Sequence, residues 1–257
     1  MGRATNISKF LSLIFIFTLY CICHGSIDIN KYLKTCARNS PDKNQCMQEA
    51  VTQALPLLCD GIKELGIPPL DPYHQEELRI DYNNNQFLLK AVMKDVYVHG
   101  LKKAKVHGAR LRADDDRFHL EVDMTSPFIN INGDYAVSGQ FNSLNLNADG
   151  SYNISMRELV YTWKLDGTSE QKDGETYMRI NSFYMRPDLQ EMKSSLTNNN
   201  PESNSFTDFA VTFGNQNWRS IYREMLPVVQ ADWNKTGTKI SNKIFRKIPY
   251  AQLFPTV

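Results

Sequence analysis

The chain has 257 residues, with 29 Lys and Arg against 28 Asp and Glu, so its formal net charge is +1 at pH 7. This balance gives no electrostatic basis for binding nucleic acid or an anionic membrane surface. Hydrophobic residues make up 42% of the chain, which is enough for a substantial core in one large domain or two small ones.

The first stretch has the pattern of an export signal. A basic start precedes an apolar run from Phe10 to Ile22, and small residues before Ser26 suit cleavage there. We predict a signal peptide over 1–25 and a secreted, extracellular product. No later run is apolar enough to span a bilayer, so no stable membrane insertion is expected. Because no repeat and no Gly- or Ser-rich linker follows, we predict a single domain over 26–257.

Three cysteines remain after this leader. Cys36 and Cys46 flank a short polar loop, whereas Cys59 lies in an apolar periodic segment. We therefore predict a structural Cys36–Cys46 disulfide, which contributes roughly 2–3 kcal/mol by closing the loop, and leave the state of Cys59 open.

A first helix is predicted after Ser40, with Ser40 as its N-cap and Pro41 in its first turn. Gly66 is expected to end it, and Pro56 to kink it. An apolar stripe at three- and four-residue spacing gives the helix a face for burial; it comprises Met47, Val51, Ala54, Leu58, Ile62 and Leu65.

From Leu78 to Phe213 the apolar period changes to two, which predicts a long antiparallel sheet. The apolar set changes parity after Arg157 and Glu158, and a β-bulge there is expected. Residues 198–205 are polar and predict a loop. The clearest alternating sets are Phe118 to Met124, Ile129 to Val137, Tyr152 to Met156 and Leu159 to Leu165.

A second, much longer helix is predicted over Asn217 to Lys247. Asn234 and Pro227 fall opposite its apolar stripe, so a glycan on Asn234 is expected to point outward, and Gly237 is a weak point of the helix. The stripe consists of Trp218, Ile221, Tyr222, Met225, Val229, Trp233, Ile240 and Ile244. Two sequons predict glycosylation, at Asn153 and at Asn234.

Catalytic signatures are missing from the sequence. No G-x-S-x-G, H-E-x-x-H or phosphate-binding glycine loop occurs, and no Cys/His cluster has metal-ligand spacing. The acidic run Asp114 to Asp116 is interpreted as a solvated turn. We therefore predict no enzymatic activity, no cofactor and no metal site.

Several segments of the sequence resemble the takeout family, which includes the insect haemolymph juvenile-hormone-binding proteins. The most specific is Leu-Gly-Ile-Pro-Pro-Leu-Asp-Pro at 65–72. The others are the Cys36 to Cys46 loop, 54–58, 95–101, 131–135 with Gly139, Asn217-Trp218 with Pro227, and 248–250 with 253–255. The resemblance spans essentially the whole chain after the leader.

This resemblance implies an α+β fold of the tubular lipid-binding type, in which a strongly curved antiparallel sheet wraps a long C-terminal helix, with a further helix at the N-terminus. It also implies an internal apolar tunnel for juvenile hormone or another long lipophilic molecule, and it supports the Cys36–Cys46 pairing. The hormone carriers usually have a second disulfide deeper in the chain. Because no cysteine follows Cys59, the takeout branch is favoured.

The resulting hypothesis is a monomeric secreted carrier of a terpenoid, fatty-acid-like or other long-chain ligand. The alternative is an extracellular interaction protein that engages a receptor or a membrane lipid without a stable internal ligand. Polar recognition at a tunnel end is expected from Tyr97, Tyr135, Tyr161 or Tyr222. The predicted ligand-binding residues are Val96, Val98, Phe118, Leu120, Val122, Ile129, Ile131, Tyr135, Trp218, Ile221, Met225, Val229 and Trp233.

Overall fold

A computed structural model describes residues 29–83, 87–141, 144–200 and 204–257. The predicted signal peptide over 1–25 lies outside the described residues. Within them the Cys36–Cys46 disulfide is formed, as predicted, with the two Cα atoms 5.8 Å apart. Cys59 is a free, buried thiol.

The first long helix, α1, spans Lys43–Asp60. Its predicted N-cap at Ser40 is wrong, because Ser40 and Pro41 lie in a turn ahead of the helix. The Ser40 hydroxyl hydrogen-bonds the carboxylate of Asp42, and the Asp42 carbonyl accepts the first helical bond, from the Cys46 N–H.

The predicted end of this helix at Gly66 is also wrong. The helix ends at Asp60, because Gly61 takes a positive φ of 83° and any β-carbon there would meet the backbone of Pro69. A 3₁₀ turn at Lys63–Leu65 follows and ends at Gly66. Ile62 and Leu65 are nevertheless buried, since the turn folds them back into the core.

The described strands form one antiparallel sheet. They pair in the order β1-β2-β4-β5-β6, while β3 pairs with the first part of β4 and β7 with the first part of β5. The bounds are β1 Tyr73–Asn83, β2 Phe87–His99, β3 Lys105–Ala113, β4 Arg117–Phe141, β5 Leu144–Lys172, β6 Glu175–Met185 and β7 Glu191–Leu196.

The parity change predicted in β5 is present, but the predicted bulge there is not. Pairing between β4 and β5 keeps one register on both sides, at Ser126↔Leu159 and at Phe128↔Arg157. Glu158 has a positive φ of 51° between these pairs. Strands β4 and β5 change parity at the same point. On β4 the buried positions are even-numbered up to Ser126 and odd-numbered from Ile129, so the buried face is continuous.

Three helices complete the chain: α2 Asn204–Gln216, α3 Trp218–Phe245 and α4 Tyr250–Leu253. The prediction of α3 over 217–247 is confirmed within two residues. The prediction of sheet as far as Phe213, and of loop to Ser205, is wrong, because 204–213 is helical. Phe206, Phe209 and Phe213 recur at three- and four-residue spacing, which indicates a helix rather than a strand.

The sheet curls into a half-barrel, with α3 across its open side and α1 at one end, so the predicted fold class is confirmed. A single cluster of buried side chains joins α1, the sheet, the end of α3 and the C-terminal tail. The tail is also held by its backbone, since the Arg38 N–H donates to the Pro255 carbonyl.

Candidate ligand-binding interior

Helix α3 lies across the open side of the half-barrel and contacts two of its edge strands, β6 and β1. Towards β6, the Asn242 amide group accepts from the Ile180 N–H at 2.9 Å and donates to the Ile180 carbonyl at 2.8 Å. Towards β1, the Gln75 amide donates to Asp232 at 3.2 Å. An exposed strand edge has unpaired backbone groups, and at β6 the Asn242 side chain pairs with them. The contact at β1 joins two side chains instead.

Asparagine side chains also bind α1 and α2 to strand edges. Asn44 of α1 accepts from the Leu111 N–H of β3 at 2.9 Å. Asn215 of α2 accepts from the Ser194 N–H of β7 and donates to the Ser194 carbonyl. An asparagine side chain can pair with the donor and the acceptor of a strand edge at once, as Asn215 does, whereas Asn44 pairs with the donor only.

One end of the enclosed space is solidly packed. The rings of Phe118, Phe245 and Phe254 lie 4.9–6.1 Å apart, centroid to centroid. No more than 2% of the surface of each neighbouring core side chain is exposed, which leaves no solvent-accessible room among them. These neighbours are Leu111, Val122, Met124, Met178, Ile180 and Ile248.

Towards the other end the same apolar face is only half buried. Cross-strand pairing places Ile80, Ala91, Val137 and Ala148 in one row across β1, β2, β4 and β5. All four are partly exposed. A second row, Val98, Ile131 and Ile154, packs against the core yet also keeps accessible surface.

The apolar stripe of α3 shows the same partial exposure. Every member of the predicted stripe is half buried, and in α3 only Leu226 and Phe245 are fully buried. In a filled core such side chains lie among the most buried residues. Apolar surface on the sheet and on α3 is thus left accessible to solvent.

The predicted ligand-binding residues divide between the two ends. Phe118, Leu120 and Val122 lie in the packed end. Val96, Ile129 and Tyr135 are buried further along the sheet. The remaining seven are half buried, and their ligand contact stays a prediction; they are Val98, Ile131, Trp218, Ile221, Met225, Val229 and Trp233.

None of the predicted ligand-binding residues belongs to the first of these two rows. Ile80, Ala91, Val137 and Ala148 become neighbours only through the strand register. Alternation assigns a side chain to a face, but the register decides which side chains on that face meet.

The tyrosine hydroxyls proposed for polar recognition are largely engaged by the protein. Tyr135 donates to the Thr197 carbonyl at 2.8 Å, and Tyr222 to the Pro187 carbonyl at 2.7 Å. The Tyr161 hydroxyl pairs with Ser126 at 2.8 Å, and burial raises the pKa of Tyr161 to about 12. Tyr97 is exposed and stacks on His74.

Three histidines and the free thiol occupy ordinary structural settings. His74 pairs with Asp95, His107 with Thr125 and His119 with Asp166. Burial raises the pKa of the Cys59 thiol to about 11, which disfavours the reactive thiolate. Within the described ranges no three His, Cys, Asp or Glu side chains are grouped to hold a metal ion.

The acidic run is a turn, as predicted: the Asp114 carboxylate accepts from the backbone N–H groups of Asp116 and Arg117, which lowers the pKa of Asp114. All three acids of the run are exposed.

The two sequons differ in their surroundings. Asn153 is exposed on β5, where its amide oxygen accepts from Asn130 at 2.8 Å. Asn234 is exposed as well, but its amide oxygen accepts from the Phe183 N–H of β6 at 2.9 Å. The prediction that Asn234 points away from the sheet is therefore wrong, because α3 contacts β6 on that side too.

Across the part of the chain that the structure describes, no helix combines the length and apolar character needed to cross a membrane.

Comparison with known proteins matches residues 13–255 to the family model of the haemolymph juvenile hormone binding proteins. A protein of Schistocerca gregaria named "Putative beta-carotene-binding protein" is 19% identical over 224 residues, 87% of this chain and 88% of its own length. The crystal structure of Epiphyas postvittana Takeout 1 superposes with a TM-score of 0.69 at 22% identity, covering 86% of this chain and 99% of that one. Since the family match extends over nearly the whole sequence, the chain belongs to the takeout and haemolymph juvenile hormone binding protein family.

Proposed function

We propose that the chain is a secreted, non-enzymatic carrier that holds one long lipophilic molecule between the sheet and α3. The observation that carries this proposal is the partial exposure of apolar side chains on both the sheet and α3, such as Ile131 on β4 and Met225 on α3, beside an otherwise well-packed end. An apolar tail placed there removes this surface from water.

The hydrophobic effect is large enough for useful affinity. Each buried CH₂ group contributes about 0.8 kcal/mol, so ten of them give roughly 8 kcal/mol of transfer free energy. Association itself costs several kcal/mol. The remainder allows micromolar binding or tighter if the space exists before the ligand arrives.

The ligand class follows from what the relatives are named for and from the shape of the interior. The family is named for juvenile hormone and one relative for beta-carotene, both long apolar molecules. Helix α3 follows β6 from the Tyr222–Pro187 contact to the Asn242–Ile180 contact, and a binding region along it suits an extended molecule. We place the chain in the takeout branch, because no cysteine follows Cys59.

Secretion and glycosylation belong to the same proposal. The leader pattern over 1–25, the Cys36–Cys46 disulfide and the haemolymph family all support export to an oxidising compartment. Asn153, exposed on a strand, is the better placed of the two sequons. We expect the exported carrier to act as a monomer.

The test is mass spectrometry of a hydrophobic extract from the protein purified out of its native fluid. A carrier releases a long-chain molecule in near-stoichiometric amount, and the unfolded, washed protein serves as the blank. An extract without such a molecule, together with failure of the protein to take up any long-chain alcohol, would contradict the proposal.

The alternative, an interaction protein without an internal ligand, has one observation in its favour. Phe209 and Phe213 on α2 are 64% and 51% exposed, and their rings stack with centroids 6.1 Å apart. Exposed aromatic pairs of this kind are frequent at binding surfaces. An empty extract combined with receptor or vesicle binding lost in Phe209→Ser would support this alternative.

A further inference from the structure

A second feature of the molecule is a solvent-open groove of about 490 Å³, between the first turns of α3 and the segment that follows β6. It adjoins the apolar stripe of α3, because Trp218 and Tyr222 belong to both. Its lining has two chemically different parts, an apolar floor and a cationic rim.

The floor consists of rings and buried aliphatic side chains. Trp218 and Tyr222 are half buried, while Leu189 and Leu226 are buried beneath. The Tyr222 hydroxyl donates to the Pro187 carbonyl at 2.7 Å, and burial raises the pKa of Tyr222 to about 12. The hydroxyl is therefore neutral and already engaged, and the floor offers mainly apolar surface.

The rim is cationic. Arg186, Arg219 and Arg223 are exposed there, and none of them takes part in an ion pair among the described residues. The guanidinium of Arg219 lies 4.4 Å from the centroid of the Trp218 ring. One acid, Asp188, lines the groove, and its carboxylate accepts from the N–H of Leu189. The rim thus carries three positive charges and one negative charge, and this net positive charge favours an anionic ligand.

We propose that this groove binds the carboxylate head of an amphipathic ligand whose chain continues along α3. Arg186 and Arg223 hold the head, because a guanidinium donates two parallel hydrogen bonds to a carboxylate. Trp218 contacts the first carbons of the chain. The inference rests on the proposed carrier function and adds the ligand class, a long-chain carboxylate rather than a neutral terpenoid.

The test compares decanoate with decanol, which share one chain length and differ in the head group. Both are titrated calorimetrically into the delipidated full chain at neutral pH, where the carboxylate is ionised. Decanoate is expected to bind about three- to tenfold more tightly, the range for charge-assisted contacts in an open site.

The variants are Arg186→Gln and Arg223→Gln, with Arg179→Gln as the matched control. Arg179 is exposed on β6 and does not line the groove. Each groove variant should weaken decanoate binding about threefold or more and leave decanol binding unchanged, which also shows that the variant is folded. The control should change neither.

The possible outcomes distinguish failure of the carboxylate site from failure of the carrier function. Equal affinity for both molecules, or a decanoate preference that survives the double variant, overturns the carboxylate site and leaves the carrier standing. Failure of both molecules to bind overturns the carrier function and this site together.

Discussion

Gly237 of α3 lies so close to the ring of Phe183 on β6 that no β-carbon fits between them. The sequence alone suggests a weak point in a long helix, since glycine is a poor helix former. In the fold, the absence of a side chain at Gly237 lets α3 approach β6. The hydrogen bond that the Phe183 N–H donates to Asn234 lies beside this point.

Gly237→Ala is therefore expected to destabilise the protein by about 1–3 kcal/mol, because the crowded ring or the helix must shift. This outweighs the gain of up to about 1 kcal/mol that alanine brings to a helix. Denaturant unfolding measures the difference. Gly214→Ala in α2 is the control, because the nearest atom to its β-carbon is the Ser194 Oγ at 4.0 Å, and it should be neutral or stabilising. A Gly237→Ala variant as stable as that control would contradict the contact.

Asn242 forms a second contact between α3 and β6 that can be tested. Asn242→Ala leaves the N–H and carbonyl of Ile180, a residue only 1% exposed, without partners. The expected loss of stability is about 1–3 kcal/mol, and hydrogen exchange at the Ile180 amide should accelerate. Asn147→Ala, at an exposed position on β5, is the control. Unchanged protection of the Ile180 amide would rule out the pairing.

Much of this architecture follows from local sequence pattern. Alternation in β4 and β5 predicts the buried face correctly, because side-chain direction in a strand repeats every two residues. The stripe of α3 is only half buried, and Asn234, on the side predicted to face outward, contacts β6. For 206–213 the sequence predicts sheet, because Phe, Val and Thr favour strands and the helical spacing of this segment is short. It is helical and docks on β7 through Asn215.

The candidate site is less predictable than the fold. The row Ile80, Ala91, Val137 and Ala148 depends on the register of four strands. Pairs such as Ile180 with Asn242, 62 residues apart, leave no local trace in the sequence. Which apolar side chains are packed and which stay accessible depends on how tightly the ends of the half-barrel close.

Ser126 and Tyr161 form a buried polar pair that a mutant cycle can test. Tyr161→Phe leaves the hydroxyl of Ser126, which has no exposed surface, without its partner. A loss of about 1–2 kcal/mol is expected. Ser126→Ala in the same chain should recover part of it, because no unpaired group then remains. Strictly additive effects would show that the two hydroxyls act independently.

Glu121 on the outer face of β4 predicts a specific acid sensitivity. Hydrogen bonds from Lys164 and Arg110 lower its pKa to about 2. Because the folded pKa lies below the unfolded one, the stabilisation is complete above about pH 4.5 and is lost as the pH falls towards 2. Glu121→Gln should cost about 1 kcal/mol at pH 7, discounted for solvent screening, and nothing near pH 2. The unfolding free energies of Glu121→Gln and of the unmodified protein should converge as the pH falls towards 2. Glu76→Gln, an exposed control on β1, should be as stable as the unmodified protein throughout this range.

Met225 provides the most direct test of where an apolar ligand lies. It is half buried on α3, on the same helical stripe as Trp218 and Tyr222, which pack against the core. Met225→Asp places a carboxylate where a ligand chain would exclude water, and an unpaired charge in such a place is strongly disfavoured. Decanol affinity is therefore expected to fall at least about tenfold, while folding and export persist because the position is not fully buried. Ala231→Asp, on the exposed side of the same helix, controls for added charge and should bind normally. A folded Met225→Asp protein with unchanged affinity would remove α3 from the lining.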